Sequence, residues 1–181
     1  MIKLPDYRYE ELKKIVVSTF IKTGVRCIPV NGFEIASKLG VAICAYSSLS
    51  PDKRAKAYEI DPDGFVAYTD QRWFIYYDDT KCFSRINNTI MHEIWHVVLD
   101  HKETSEVAEA EAKFCAKYSM APPVLVHKYK AYTTELIQEY FQVSYEASVY
   151  ALSYYHKWLR YGECDYTDYE EVLYNMIELA T

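Results

Sequence analysis

No stretch of this sequence holds the ~20 consecutive uncharged apolar residues that a bilayer-spanning helix needs. Its start, MIKLPDYRYEELKK, lacks the apolar centre of a secretory signal. The expectation is a soluble, cytoplasmic chain with no membrane partner. Basic charge is in deficit: 20 Lys and Arg stand against 26 Asp and Glu, giving a net charge of −6. Phosphate binding needs a basic footprint, so direct nucleic-acid binding is not expected. The cysteines Cys27, Cys44, Cys82, Cys115 and Cys164 are odd in number, scattered and without a C-x-x-C pair. That argues against a disulfide framework and predicts buried thiols in a reducing compartment. Internal repeats and low-complexity segments are missing as well.

What is present suffices for a core. Half of the 181 residues are hydrophobic, a length that suits one domain or one domain with an appendage. Nineteen tyrosines supply apolar area with polar tips. Residues 8–23 carry one apolar stripe (Leu12, Ile15, Val16, Thr19, Phe20), which predicts a helix stopped by Gly24. Residues 29–40 predict a shorter helix with Gly40 just past its end, and 41–46 a strand. Residues 47–56, SSLSPDKRAK, look like a polar, mobile connection. Residues 64–69 and 72–78 are aromatic and β-branched around Asp70–Gln71, a hairpin pattern. From Asn87 onward the spacing is helical. Helices, a small sheet, then helices indicate an α+β fold. The expected organisation is a core over 1–125 and a C-terminal helical extension over 126–181, entered at Pro122 and Pro123.

The chemistry concentrates in TIMHEIWHVVLDH, residues 89–101. Positions four apart on a helix lie nearly above one another, so His92 and His96 face the same way and can bind one ion. Glu93 sits beside the first histidine, placed to take a proton from water. Met91, Ile94, Trp95 and Val98 would bury this helix, and Asn87, Asn88 and Thr89 are candidate caps. The bland alternative is a structural helix with two half-buried histidines. A catalytic zinc site needs a third protein ligand and one open position. His101 lies five residues past His96 and would point away on a continuous helix. Asp100 is a weaker candidate for orienting a ligand. Among Glu103, Glu106, Glu109 and Glu111, helical neighbours favour Glu111. It is surrounded by Val107, Ala108, Phe114, Cys115 and Tyr118, whereas Glu109 is flanked by Ser105, Glu106 and Lys113. A carboxylate inside an apolar stripe is costly unless it is paired or bound to metal. Zinc (Zn2+) held by His92, His96 and Glu111 is one solution; an ion pair with Arg85 is the other.

These segments resemble the ImmA/IrrE family of metallopeptidase-like proteins of bacteria, phages and integrative elements. IPVNGFEIASKLGVAI is similar to the family's opening proline–helix–strand segment, and DGFVAYTDQRWFIYYDD to its hairpin. SRINNTIMHEIWHVVLDH resembles the run into H-E-x-x-H, and AEAEAKFCAKYSMAPP the E-A-x-x-F-A-x-x-L-L-x-P helix. FQVSYEASVYAL is a weaker match. In this match, too, the third ligand falls on Glu111. Trp95 stands where the family has glycine, Lys113 where it has Asn or Asp, and Cys115 at its phenylalanine. The resemblance implies a zincin-like helix pair with a sheet of about three strands, and a zinc peptidase with Glu93 as its base. It implies an antirepressor role, the partner being a helix–turn–helix repressor of a phage or mobile element that is cleaved. The rival is a regulator, with or without metal, that binds a repressor without cutting it.

Residues 133–159 have a helix–turn–helix outline but few basic residues, and read better as a packed helical hairpin. Tyr145, Tyr150, Tyr154 and Tyr155 fit an interface or core stripe, and His101, His127 and His156 ordinary histidines. If the strand over 72–78 were a sheet edge, it would offer free backbone groups to an extended substrate.

Overall fold

The computed structural model describes residues 2–162 and 165–180. In chain order the elements are α1 (Asp6–Thr23), β1 (Cys27–Ile28), α2 (Gly32–Leu39), β2 (Ala42–Ala45), α3 (Pro51–Ile60), β3 (Gly64–Thr69) and β4 (Arg72–Tyr77). They continue as α4 (Phe83–Val98), α5 (Glu106–Met120), α6 (Pro123–Lys128), α7 (Thr134–Phe141), α8 (Tyr145–Tyr161), α9 (Asp168–Met176) and β5 (Glu178–Leu179). This is the expected α+β class. Among the described residues no helix is long and apolar enough to cross a membrane.

Two compact units divide the chain. One is Met1–Lys3 with Asn31–Lys113; the other is Leu4–Val30 with Phe114–Thr181. The boundary falls within α5.

The first unit is built on a three-stranded mixed sheet of order β2-β4-β3. β2 runs parallel to β4, and β3 antiparallel, with Val66 opposite Ile75. The hairpin forms where the sequence placed it. Asp70 and Gln71 take φ of 50° and 60°, the left-handed pair that matches strand twist in a two-residue turn. β4 is therefore central, paired on both sides, which overturns the idea that residues 72–78 form an edge; the edges are β2 and β3. Helix α4 packs on β3, β4 and α2, burying Ile90, Met91, Ile94 and Trp95. Gly64 lets it approach: a Cβ there would meet Thr89 Cγ2 and the Tyr76 carbonyl oxygen, each at 2.6 Å. The helix starts one turn earlier than the cap signals suggested, with Cys82 at its N-cap. Asn87 lies inside it, buried, and its Oδ1 accepts the first N–H of α2 from Gly32 at 2.8 Å.

Residues 47–56 are not a mobile connection. After a 3-10 turn, Pro51 at the first helical position starts α3. Arg54 holds the turn, donating to the carbonyls of Tyr46, Ser47 and Leu49. Only Ala57 of α3 is buried, so no apolar period marks the helix in the sequence.

In the second unit α1 packs on α9, and Tyr169 donates to Glu10 at 2.6 Å. α6 packs on α8 and α9. α7 and α8 form the expected hairpin, joined through Gln142 at φ 50°. Tyr155 is buried and accepts or donates with His127 Nδ1 at 2.9 Å, while Tyr145 is exposed. β1 and β5 pair in parallel, a contact between distant segments too short to show a strand pattern. The thiols differ from expectation: Cys115 is buried, but Cys27 and Cys82 are exposed and Cys44 is half-buried. Cys164 lies outside the described residues.

Asp78 closes β4 and is 1% exposed. Its Oδ1 accepts from Thr80 N–H at 3.0 Å, Thr80 Oγ1 at 2.8 Å and Tyr58 at 3.0 Å, and Lys81 lies 3.1 Å from Oδ2. Burial pushes its pKa up, but these donors outweigh burial and hold it at about 2. A folded pKa below the unfolded value of ~3.9 stabilises above that value and is lost as pH falls through the folded one. Asp78→Asn should therefore cost about 2 kcal/mol near neutrality, and the gap to wild type should close as pH falls from ~4 toward 2. Urea unfolding across that window checks it; a gap independent of pH would contradict the assignment.

Candidate metal centre

His92 and His96 project from one face of α4, as the spacing required. Their Nε2 atoms are 3.2 Å apart. The carboxylate that meets them is Glu109, from the first turns of α5: Oε1 lies 3.3 Å from His96 Nε2 and Oε2 3.5 Å from His92 Nε2. Among the described residues His92, His96 and Glu109 are the group able to share one metal ion. Zinc makes bonds of about 2.0–2.2 Å to nitrogen and oxygen, and a tetrahedron of such bonds has edges of roughly 3.3–3.5 Å. The separations here, 3.2 Å between the imidazoles and 3.3 and 3.5 Å from them to the two oxygens of Glu109, are close to such edges, and the donors are two imidazoles and a carboxylate. The residues fit a tetrahedral divalent cation with one position left over.

Glu111, the ligand expected from the sequence, is elsewhere. It is buried as predicted, 6% exposed, but its Oε2 lies 3.0 Å from His101 Nε2. Glu109, whose side chain is 36% exposed, sits at the rim of the buried face. A centre with an open position must border solvent, and Glu109 does so while Glu111 does not. A ligand at the edge of the apolar stripe meets that need better than one in its middle. Arg85 forms a two-pronged bridge to Asp63, with both contacts at 2.7 Å. Lys113, at a family Asn/Asp position, reaches back one turn to Glu109 Oε2 at 3.6 Å. Trp95, at the family's glycine, is fully buried.

His101 was read as ordinary on the premise of a continuous helix. The helix stops instead. Asp100 adopts φ 53°, its N–H bonds to Val97 O at 3.1 Å, and the His101 N–H bonds to His96 O at 2.9 Å. These are the paired bonds of a Schellman stop, with aspartate in the left-handed position usually held by glycine. The stop folds His101 back over the last turn, so its Nδ1 comes within 3.1 Å of His96 Nδ1. The Asp100 side chain points to Lys102 at 3.3 Å and is exposed, so it orients no ligand. A helix of hydrophobic residues ending in L-D-H was the available signal.

Burial, then Glu109 and Lys113 in opposite senses, leaves the His92 pKa lowered. Burial and then the neighbouring His92 lower that of His96 to about 4. Both rings are thus neutral near pH 7, the form that donates a lone pair to metal. Glu93 is buried, and burial followed by the charge of Glu109 raises its pKa to about 8 against a hydrogen bond from the Val66 backbone. That bond fixes the carboxylate to the edge strand β3.

Two helices bring this group together beside a small mixed sheet. The family model for the IrrE N-terminal-like domain, peptidase M78, matches residues 36–153, and the chain belongs to that family. The ImmA/IrrE resemblance is thereby borne out. No curated protein matches the chain.

In metal titrations of the purified protein, Glu109→Ala should lose far more affinity than Glu111→Gln. The reverse order would restore Glu111 as the ligand.

Proposed function

We propose that the protein is a zinc-dependent endopeptidase acting on a cytoplasmic protein substrate, with a helix–turn–helix repressor of a phage or mobile element as the favoured class. The observation that carries the chemistry is the convergence of His92, His96 and Glu109 beside the buried carboxylate of Glu93. Membership of a metallopeptidase-type family supports the same reading. Zinc bound there would polarise a scissile carbonyl and acidify water. In the apo site Glu93 is held protonated near pH 7; the positive charge of a bound cation would lower its pKa, so that the carboxylate, anchored through Val66, takes the proton from the attacking water and hands it to the leaving amine. Lys113 contacts Glu109 and limits its swing. Glu93→Gln keeps the size and the Val66 contact but removes the base. It should retain zinc and lower turnover by about 10²-fold or more. The assay is cleavage of a purified repressor, followed by mass spectrometry of the fragments. Equal cleavage by wild type and Glu93→Gln would reject the base. A wild type that binds zinc and the repressor but leaves the repressor intact would favour the non-cleaving regulator.

The substrate's path follows from β3. Val66 uses its N–H for Glu93, so its backbone faces away from β4, and by the two-residue alternation Tyr68 faces the same way. An extended peptide added along this edge would run past the metal centre. Proline at Tyr68 removes an outward N–H without breaking a bond to β4. Tyr68→Pro should keep fold and zinc content and raise KM or lower kcat on peptides. Ala67→Pro, on the inward register, should destabilise the hairpin. Normal cleavage by a folded Tyr68→Pro variant would remove β3 as the platform.

A further inference from the structure

Glu111 is buried and His101 half-buried, both close to the metal centre and outside the group His92, His96 and Glu109. We propose that they are positioning residues: they hold His96 in the one neutral tautomer that leaves Nε2 bare for the metal. The inference rests on the reading of His92, His96 and Glu109 as the metal centre.

The geometry is a chain of contacts. Glu111 Oε2 lies 3.0 Å from His101 Nε2, His101 Nδ1 lies 3.1 Å from His96 Nδ1, and His96 Nε2 faces Glu109 at 3.3 Å. The two rings are 5.1 Å apart between centroids and inclined at 71°. With Glu111 ionised and His101 neutral, the carboxylate only accepts, and the proton of the first contact sits on His101 Nε2. A neutral imidazole carries one N–H, and His101 Nδ1 is then an acceptor. The proton between the rings must come from His96 Nδ1. That leaves His96 Nε2 without a proton, as a lone pair aimed at the ligand triangle. Without Glu111, His101 could present its proton from Nδ1, and His96 would keep its own on Nε2, where it blocks the ligand position.

The backbone makes this arrangement possible. The left-handed residue Asp100 ends α4 and returns His101 over His96, while Glu111 comes from α5 two residues beyond the ligand Glu109. At such a helix stop the side chains of these two positions commonly make an apolar contact; here they are two imidazoles. Outer partners that fix a ligand's tautomer are worth roughly 10–100-fold in metal affinity.

Two measurements test the relay. The first is the imidazole nitrogen-15 spectrum of the metal-free wild type, which assigns each proton. It should show His96 protonated on Nδ1 and His101 on Nε2. A His101 proton on Nδ1 overturns the proposal. The second is zinc affinity by competition with a chromophoric chelator. His101→Phe, which keeps a ring but no acceptor, should weaken zinc by about 10–100-fold, and Glu111→Leu similarly. His101→Gln, which restores an acceptor oxygen, should recover part of the loss. Unchanged affinity in His101→Phe overturns the relay. His96→Ala and Glu109→Ala separate the two layers. If they lose zinc while His101→Phe keeps it, only the relay fails; if they retain zinc, the metal centre itself fails. Should His101→Phe not fold, the wild-type spectrum decides.

Discussion

His92 Nε2, His96 Nε2 and the Glu109 carboxylate lie 3.2–3.5 Å from one another, and the three groups have more lone pairs than protons to share. Acceptors held this close repel one another, and a shared cation is a partner that would satisfy all three at once. Much of the first unit serves that convergence. α4 must lie close on β3, which Gly64 permits, so that its histidines face outward at the sheet edge. α5 must start at the right height, so that a carboxylate in its first turns reaches across. Between them the chain has seven residues, 99–105, in which to reverse, and Asp100 in the left-handed region begins the turn.

The same constraint explains the buried acids. Glu111, Glu93 and Asp78 are each out of water, and each has a named polar neighbour: His101, the Val66 backbone, and the Thr80, Tyr58 and Lys81 group. Asp78 anchors the end of β4 just ahead of α4. Asn87 ties the opening of α2 to the middle of α4. Substitutions at these positions would shift the register between helix and sheet, and with it the ligand triangle.

The sequence disclosed the parts whose signal is local. Four-residue spacing put His92 and His96 on one face, the Asp70–Gln71 turn marked the hairpin, and Gly24 and Gly40 ended their helices in the left-handed region. Features set by tertiary partners were harder to read. α3 is exposed on nearly every side and shows no period. β1 and β5 are two residues each and meet only in the folded chain. The choice between Glu109 and Glu111 turned on which face of α5 meets the histidines. Helical neighbours report burial, and they single out Glu111, whereas the carboxylate that meets the two histidines is the half-exposed Glu109. A continuous helix would carry His101 away from His96, but the chain stops at Asp100 and returns.

In the proposed metal centre Glu109 is the third ligand, with Glu111 behind it. A crystal structure of the zinc-loaded protein, with anomalous diffraction recorded at the zinc edge, is the direct test. One strong peak is expected, bonded to His92 Nε2, His96 Nε2 and a Glu109 oxygen, with Glu111 still on His101. A peak bonded to Glu111, or no peak between the two helices, would contradict it.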